Sequence, residues 1–115
     1  MPYINVKTTS TLDSQKAEDI ASEITDSLSS ILGKGRDTIM VDLNTADNLF
    51  MGGSRVDMGA VVHVKVFGKA SPAAKKQANT FLCEFLNSTL GIPESHIYVI
   101  FSDKAEWGYK GSFIS

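Results

Sequence analysis

The sequence predicts an α/β (α+β) fold, in which two β-α-β units form one four-stranded sheet with two helices on a single face. Three observations lead there. The chain repeats itself at an offset of 58 residues, each half carries one long amphipathic segment with its own start and stop signals, and the flanking segments alternate apolar and polar residues. Residues 2–44 laid on 60–102 give eight identities: Val6/Val64, Lys7/Lys65, Leu28/Leu86, Ser30/Ser88, Leu32/Leu90, Gly33/Gly91, Ile39/Ile97 and Val41/Val99. Ordinary residue usage, at ~6% per position, gives two or three by chance.

In chain order, Ile4 and Val6 open the first strand. Ala17, Ile20, Ala21, Ile24, Leu28, Ile31 and Leu32 then follow one helical face, with Asp13 as its N-cap and Gly33 where the chain leaves in a left-handed turn. Ile39, Val41 and Leu43 form the second strand. Residues 44–58 read as a loop, with Gly52 and Gly53 in a turn. The second unit repeats the order: Val62, Val64 and Val66; then a helix with Ala74, Ala78, Phe81, Leu82, Phe85, Leu86 and Leu90 on its apolar face; then Ile97, Val99 and Phe101. Ser71 caps that helix, Pro72 takes its first position and Gly91 closes it. Helices between strands permit parallel pairing with right-handed crossovers. The tail after Ser102 reads as irregular, but Trp107, Tyr109 and Phe113 imply that it packs on something.

The other sheet face carries Tyr3, Asn5, Lys7, Met40, Asp42, Val61, His63, Lys65, Phe67, Tyr98 and Ile100. It is too apolar for a solvent face and too polar for a core, which predicts contact with another subunit. With 115 residues the chain is expected to be one domain. A net charge of −2 with scattered Lys and Arg leaves no footprint for nucleic acid. No stretch reaches the length of a membrane span, and the start lacks the pattern of a signal peptide. A single cysteine, Cys83, fits a reducing compartment, so a soluble cytoplasmic protein is expected.

The chemistry centres on Pro2. Proline after an initiator methionine allows Met1 to be cleaved, leaving a secondary amine at the head of a strand. An amine acts as a base only when neutral, and an ordinary α-amino group with a pKa near ~8 is about 10% neutral at pH 7. Apolar walls and a nearby cation both lower that pKa. Phe67, Tyr98, Trp107 and Phe113 are candidates for the walls and Lys34 for the cation. Lys34 sits in Gly33-Lys34-Gly35, a loop suited to offering a backbone N–H and an ammonium to a carboxylate. Its counterpart in the repeat is Ile92, so the cation belongs to one half only. His63, His96 and Cys83 have no metal-ligand spacing, and Gly52-Gly53-Ser54 lacks the completion of a phosphate loop.

These residues, in order, resemble the tautomerase superfamily and within it the macrophage migration inhibitory factor branch. The likeness rests on Met1-Pro2 with Ile4-Asn5-Val6-Lys7-Thr8, Leu32-Gly33-Lys34 before Ile39-Met40-Val41, and Phe50-Met51-Gly52-Gly53-Ser54. It continues through Leu90-Gly91-Ile92-Pro93, Ile97-Tyr98-Val99 and Trp107-Gly108-Tyr109 with Gly111-Ser112-Phe113. It implies a homotrimer with active sites at subunit boundaries, Pro2 as acid/base, and Lys34 on the carboxylate of a small 2-oxo acid. It also implies a backbone N–H near Phe67, Tyr98 from the neighbouring subunit, and Trp107 and Phe113 as apolar lining. No metal or organic cofactor is implied. Ile100 stands where the family often has an asparagine, Gly35 replaces its usual proline, and the tail is one residue short.

The resulting expectation is a keto–enol tautomerase of arylpyruvates. With no second cation beside Pro2 on the first strand, a monoanionic substrate such as phenylpyruvate is favoured. The alternative is a signalling or binding protein of the same branch with vestigial tautomerase chemistry. A decarboxylase or dehalogenase would need polar groups to activate water, and none is clearly placed.

Overall fold

The 58-residue repeat of the sequence is also the repeat of the fold. The computed structural model describes residues 1–114. The first unit is β1 (Pro2–Thr8), α1 (Ser14–Leu32) and β2 (Met40–Asn44); the second is β5 (Ala60–Phe67), α2 (Pro72–Leu90) and β6 (Ile97–Lys104). Helix begins at 14 and 72 and ends at 32 and 90, and short 3₁₀ turns follow at Arg36–Thr38 and Glu94–His96. Every one of these bounds differs by 58.

The local chemistry explains that agreement. Asp13 accepts a hydrogen bond from the Lys16 N–H at 2.8 Å, and Ser71 does the same for Ala74 at 3.1 Å. At the far ends Gly33 and Gly91 adopt φ of 65° and 70°, the left-handed exit that a side chain would strain.

The sheet order is β2-β1-β5-β6. Each outer strand is parallel to its inner neighbour, as the helical crossovers require, while β1 and β5 run antiparallel at the centre. A junction of that kind relates the units by a two-fold rotation normal to the sheet, which leaves both helices on one face. Ile4, Val6, Val62, Val64 and Val66 point toward them and bury against Ile20, Ile24, Leu28, Leu82 and Leu86.

Two expectations are corrected. The segment expected as a loop is a hairpin, β3 (Leu49–Met51) and β4 (Ser54–Val56), turning at Gly52 and Gly53 with φ of 59° and 83°. Two successive positive φ values match the right-handed twist of paired strands. The tail is also not irregular: β7 (Gly108–Tyr109) pairs with β8 (Ser112–Phe113) about Lys110 and Gly111, again both at positive φ.

The face away from the helices remains open in one chain, with Met40, Tyr98 and Ile100 at 66%, 58% and 42% exposure. Among the described residues no helix is long and apolar enough to cross a membrane. Cys83 is half-buried against the core, and burial pushes its thiol pKa up.

Leu86→Ala is expected to lower stability by about 2–5 kcal/mol through lost burial and a residual cavity. Glu18→Ala, on the exposed face of α1, should stay within about 0.5 kcal/mol. Urea midpoints at unchanged slope provide the measurement.

Candidate active site

Pro2 heads β1 at the sheet centre, buried and paired across to Val66 of β5. Before it, Met1 is tied down: its carbonyl accepts a hydrogen bond from the Phe67 N–H at 3.2 Å. With Met1 in place the Pro2 nitrogen is an amide without a proton, so the free amine is that of Met1. Its pKa is lowered, first by burial and second by the charge of Lys34. Lys34 therefore acts electrostatically on the chain terminus although it follows a helix that starts elsewhere.

The loop around Lys34 differs from the sequence expectation in one respect. Its backbone N–H donates to the Ser29 carbonyl at 3.1 Å, and its carbonyl accepts from the Ser29 hydroxyl at 2.6 Å. The N–H is engaged, so only the ammonium is available to an anion.

A cavity of about 520 Å³ opens beside these groups, within the usual ~300–1,000 Å³ of ligand pockets. Met1, Pro2, Tyr3, Met40 and Lys65 line its floor, and Trp107 and Tyr109 its wall, with Asp37 at the 3₁₀ turn. A larger hollow of about 780 Å³ between α1 and α2 has Phe81 and Ile31 on its wall but neither the terminal amine nor an aromatic pair from the tail.

Of the residues singled out by sequence, Pro2 and Trp107 line this cavity, Lys34 lies within charge reach of the terminus, and Phe67 offers its N–H there. The others lie apart within one chain. On β6 it is Asp103 that stands opposite Val66, the partner of Pro2, whereas Tyr98 stands opposite Val61. Five residues at ~3.3 Å each separate those positions, roughly 16 Å along the strand. Ile100, opposite His63, lies between them. Phe113 is 75% exposed on β8 and does not line the cavity; its cross-strand partner Gly108 and the adjacent Tyr109 do.

Sequence reasoning missed Tyr3, Lys65 and Tyr109 as lining residues. Tyr3 and Lys65 share the open sheet face, and the β1–β5 register sets them side by side. The Tyr3 hydroxyl donates to Asp42 at 2.5 Å, and that hydrogen bond, burial and the carboxylate charge, in that order, raise its pKa.

The whole chain, residues 1–115, matches the model of the family described as macrophage migration inhibitory factor. This protein is a member of that family. It is 28% identical over 114 residues to macrophage migration inhibitory factor of Xenopus tropicalis, covering 97% of each chain. The fold is similar to that of Leishmania major MIF2, with a TM-score of 0.90 at 24% identity over 99% of this chain and 97% of the other. A homologue from Prochlorococcus marinus gives a TM-score of 0.89 at 24% identity over 98% and 99%. The mixed four-stranded sheet with two helices is thus the fold of the macrophage migration inhibitory factor family.

Replacing Lys34 by Ala is expected to raise the pKa of the terminal amine, but only part of the way, since burial is the larger cause and remains. Because the folded value lies below the unfolded one, the amine's contribution to stability is full above its ordinary pKa. It is lost as pH falls through the lowered one. Titration of the terminus by NMR in wild type and Lys34→Ala measures the shift; an unchanged value would exclude Lys34 as its cause.

Proposed function

We propose that the chain, as one domain freed of Met1, is a keto–enol tautomerase of arylpyruvates with Pro2 as acid and base. The observation that supports this most is that the terminus, its lowered basicity and a backbone donor coincide in one aromatic-walled cavity. Loss of Met1 changes two things at once. The Pro2 nitrogen becomes a secondary amine on a buried residue next to the site where burial and Lys34 lower the Met1 amine, and the Phe67 N–H loses the carbonyl it now serves. In this reading the Met1 carbonyl oxygen stands where a substrate oxygen would sit.

The reaction then runs without a cofactor. The substrate carboxylate sits between Lys34 and the Phe67 N–H, with the aryl ring against Trp107. Neutral Pro2 takes a proton from the carbon beside the ketone as electrons move to the ketone oxygen, then returns it to that oxygen to give the enol. The reverse direction starts from the enol hydroxyl. Each step moves one proton and forms no covalent adduct.

The separation of Tyr98 and Ile100 from Pro2 supports a homotrimer in which a neighbour supplies both residues at the subunit boundary. The open face bearing Met40, Tyr98 and Ile100 is the surface such an assembly would cover. A reducing, cytoplasmic setting accords with the lone thiol of Cys83. The second reading, a binding protein with vestigial chemistry, draws on Ile100, which brings no polar group, and on Phe113, which leaves the cavity uncovered.

Pro2→Gly is expected to slow decay of enol-phenylpyruvate, followed in the ultraviolet, by about 10²-fold or more, the ordinary worth of a positioned base. A form retaining Met1, recognised by mass, should be equally slow. Equal rates for wild type and Pro2→Gly would leave the binding reading in place.

A further inference from the structure

Lys65 has no role in the proposed reaction, yet it projects into the same cavity as Pro2. It stands on β5 directly opposite Tyr3, and its ammonium lies 5.8 Å from the centre of the Tyr3 ring. Among the described residues it forms no salt bridge and donates no side-chain hydrogen bond, although it is only half exposed to solvent. Neither acid near it serves as its counter-ion. Asp42 accepts the Tyr3 hydroxyl, and Asp37, the other acid at the cavity, stands on the 3₁₀ turn and makes no salt bridge to Lys65. A partly desolvated cation without a counter-ion is costly to hold, and a ligand anion relieves that cost.

The two lysines belong to different elements, and of the two only Lys65 lines the cavity. Lys34 comes from the end of α1 and bears on the terminal amine; Lys65 comes from the sheet and lies over Tyr3, one residue further into β1 than Pro2. With the 2-oxo acid carboxylate at Lys34, a ring lying between Trp107 and Tyr3 directs its far end toward Lys65. We propose that Lys65 sets substrate class, selecting arylpyruvates whose ring carries a second anionic group, such as a carboxylate, at its distal end. This rests on the tautomerase reading above and replaces the monoanionic substrate expected from sequence, because the second cation stands on β5 and not on the first strand.

The test compares the enols of phenylpyruvate and (4-carboxyphenyl)pyruvate with wild type, Lys65→Gln and Lys65→Arg. Wild type should prefer the diacid by about tenfold in kcat/KM, mainly through KM, and raised salt should narrow the preference. Lys65→Gln should bring the ratio near one and Lys65→Arg should restore it. A wild-type ratio near one, or a preference that survives in Lys65→Gln, overturns the proposal. So does loss of the wild-type oligomer mass in Lys65→Gln, which would assign the lysine to assembly. If neither enol is turned over, the tautomerase reading fails on its own, and calorimetry with phenylacetate and 4-carboxyphenylacetate decides the role of Lys65. Tenfold tighter binding of the diacid, lost in Lys65→Gln, upholds it; equal affinities overturn it.

Discussion

The antiparallel pairing of β1 with β5 carries the remainder of the structure. Five buried residues at alternate positions of those strands, Ile4, Val6, Val62, Val64 and Val66, make the floor of the core, so slipping either strand by one residue would turn its apolar set away from the helices. That strong requirement fixes the register, and the register fixes the site. With Ile4 opposite Val64, Pro2 must stand opposite Val66, Tyr3 beside Lys65, and the Phe67 N–H against residue 1. The polar geometry on one face of the sheet is thus set by hydrophobic packing on the other.

The pseudo-two-fold rotation makes the departures from it informative. At equivalent positions 58 apart, Pro2 corresponds to Ala60 and Lys34 to Ile92. Ala60 and Ile92 are both fully buried and simply extend the core. In the first unit the same backbone frame presents a strand terminus and a cation to a cavity. The caps, helix bounds and strand directions keep the symmetry because they are needed twice; the charged and terminal groups break it where the ends differ, the cavity beside Pro2 being about 520 Å³ and the hollow at the equivalent end, beside Ala60 and Tyr98, about 70 Å³.

What could be read from sequence follows the range of the forces involved. Asp13, Gly33, Ser71 and Gly91 act within a few residues, so both helices were legible to the residue. The hairpins were less so, since strands of two or three residues offer too little alternation to detect, although Gly52-Gly53 carried the turn signal. Lys65 was legible as a residue of the open face but not as a neighbour of Pro2, because a register between distant strands is a tertiary fact. The loop at Lys34 suggested a free N–H; the Ser29 carbonyl that takes it lies a turn back in α1, where nothing in the sequence marked it.

One charge beside the terminus meets two demands that pull against each other in the proposed reaction. Before substrate arrives, burial and Lys34 both push a terminal amine toward its neutral form, which a base must be. A neutral amine under that field is also a weak base, poorly matched to a proton on carbon. When the substrate carboxylate settles against Lys34 it offsets the lysine's field, and the larger cause, burial, is left alone to hold the pKa down. The basicity of the amine therefore rises as the reacting carbon comes within reach, and the ammonium formed by proton transfer gains a nearby anion. Lys65, further along the sheet, can neutralise a second anion without disturbing that exchange, so the terminus responds to the carboxylate next to the reacting carbon.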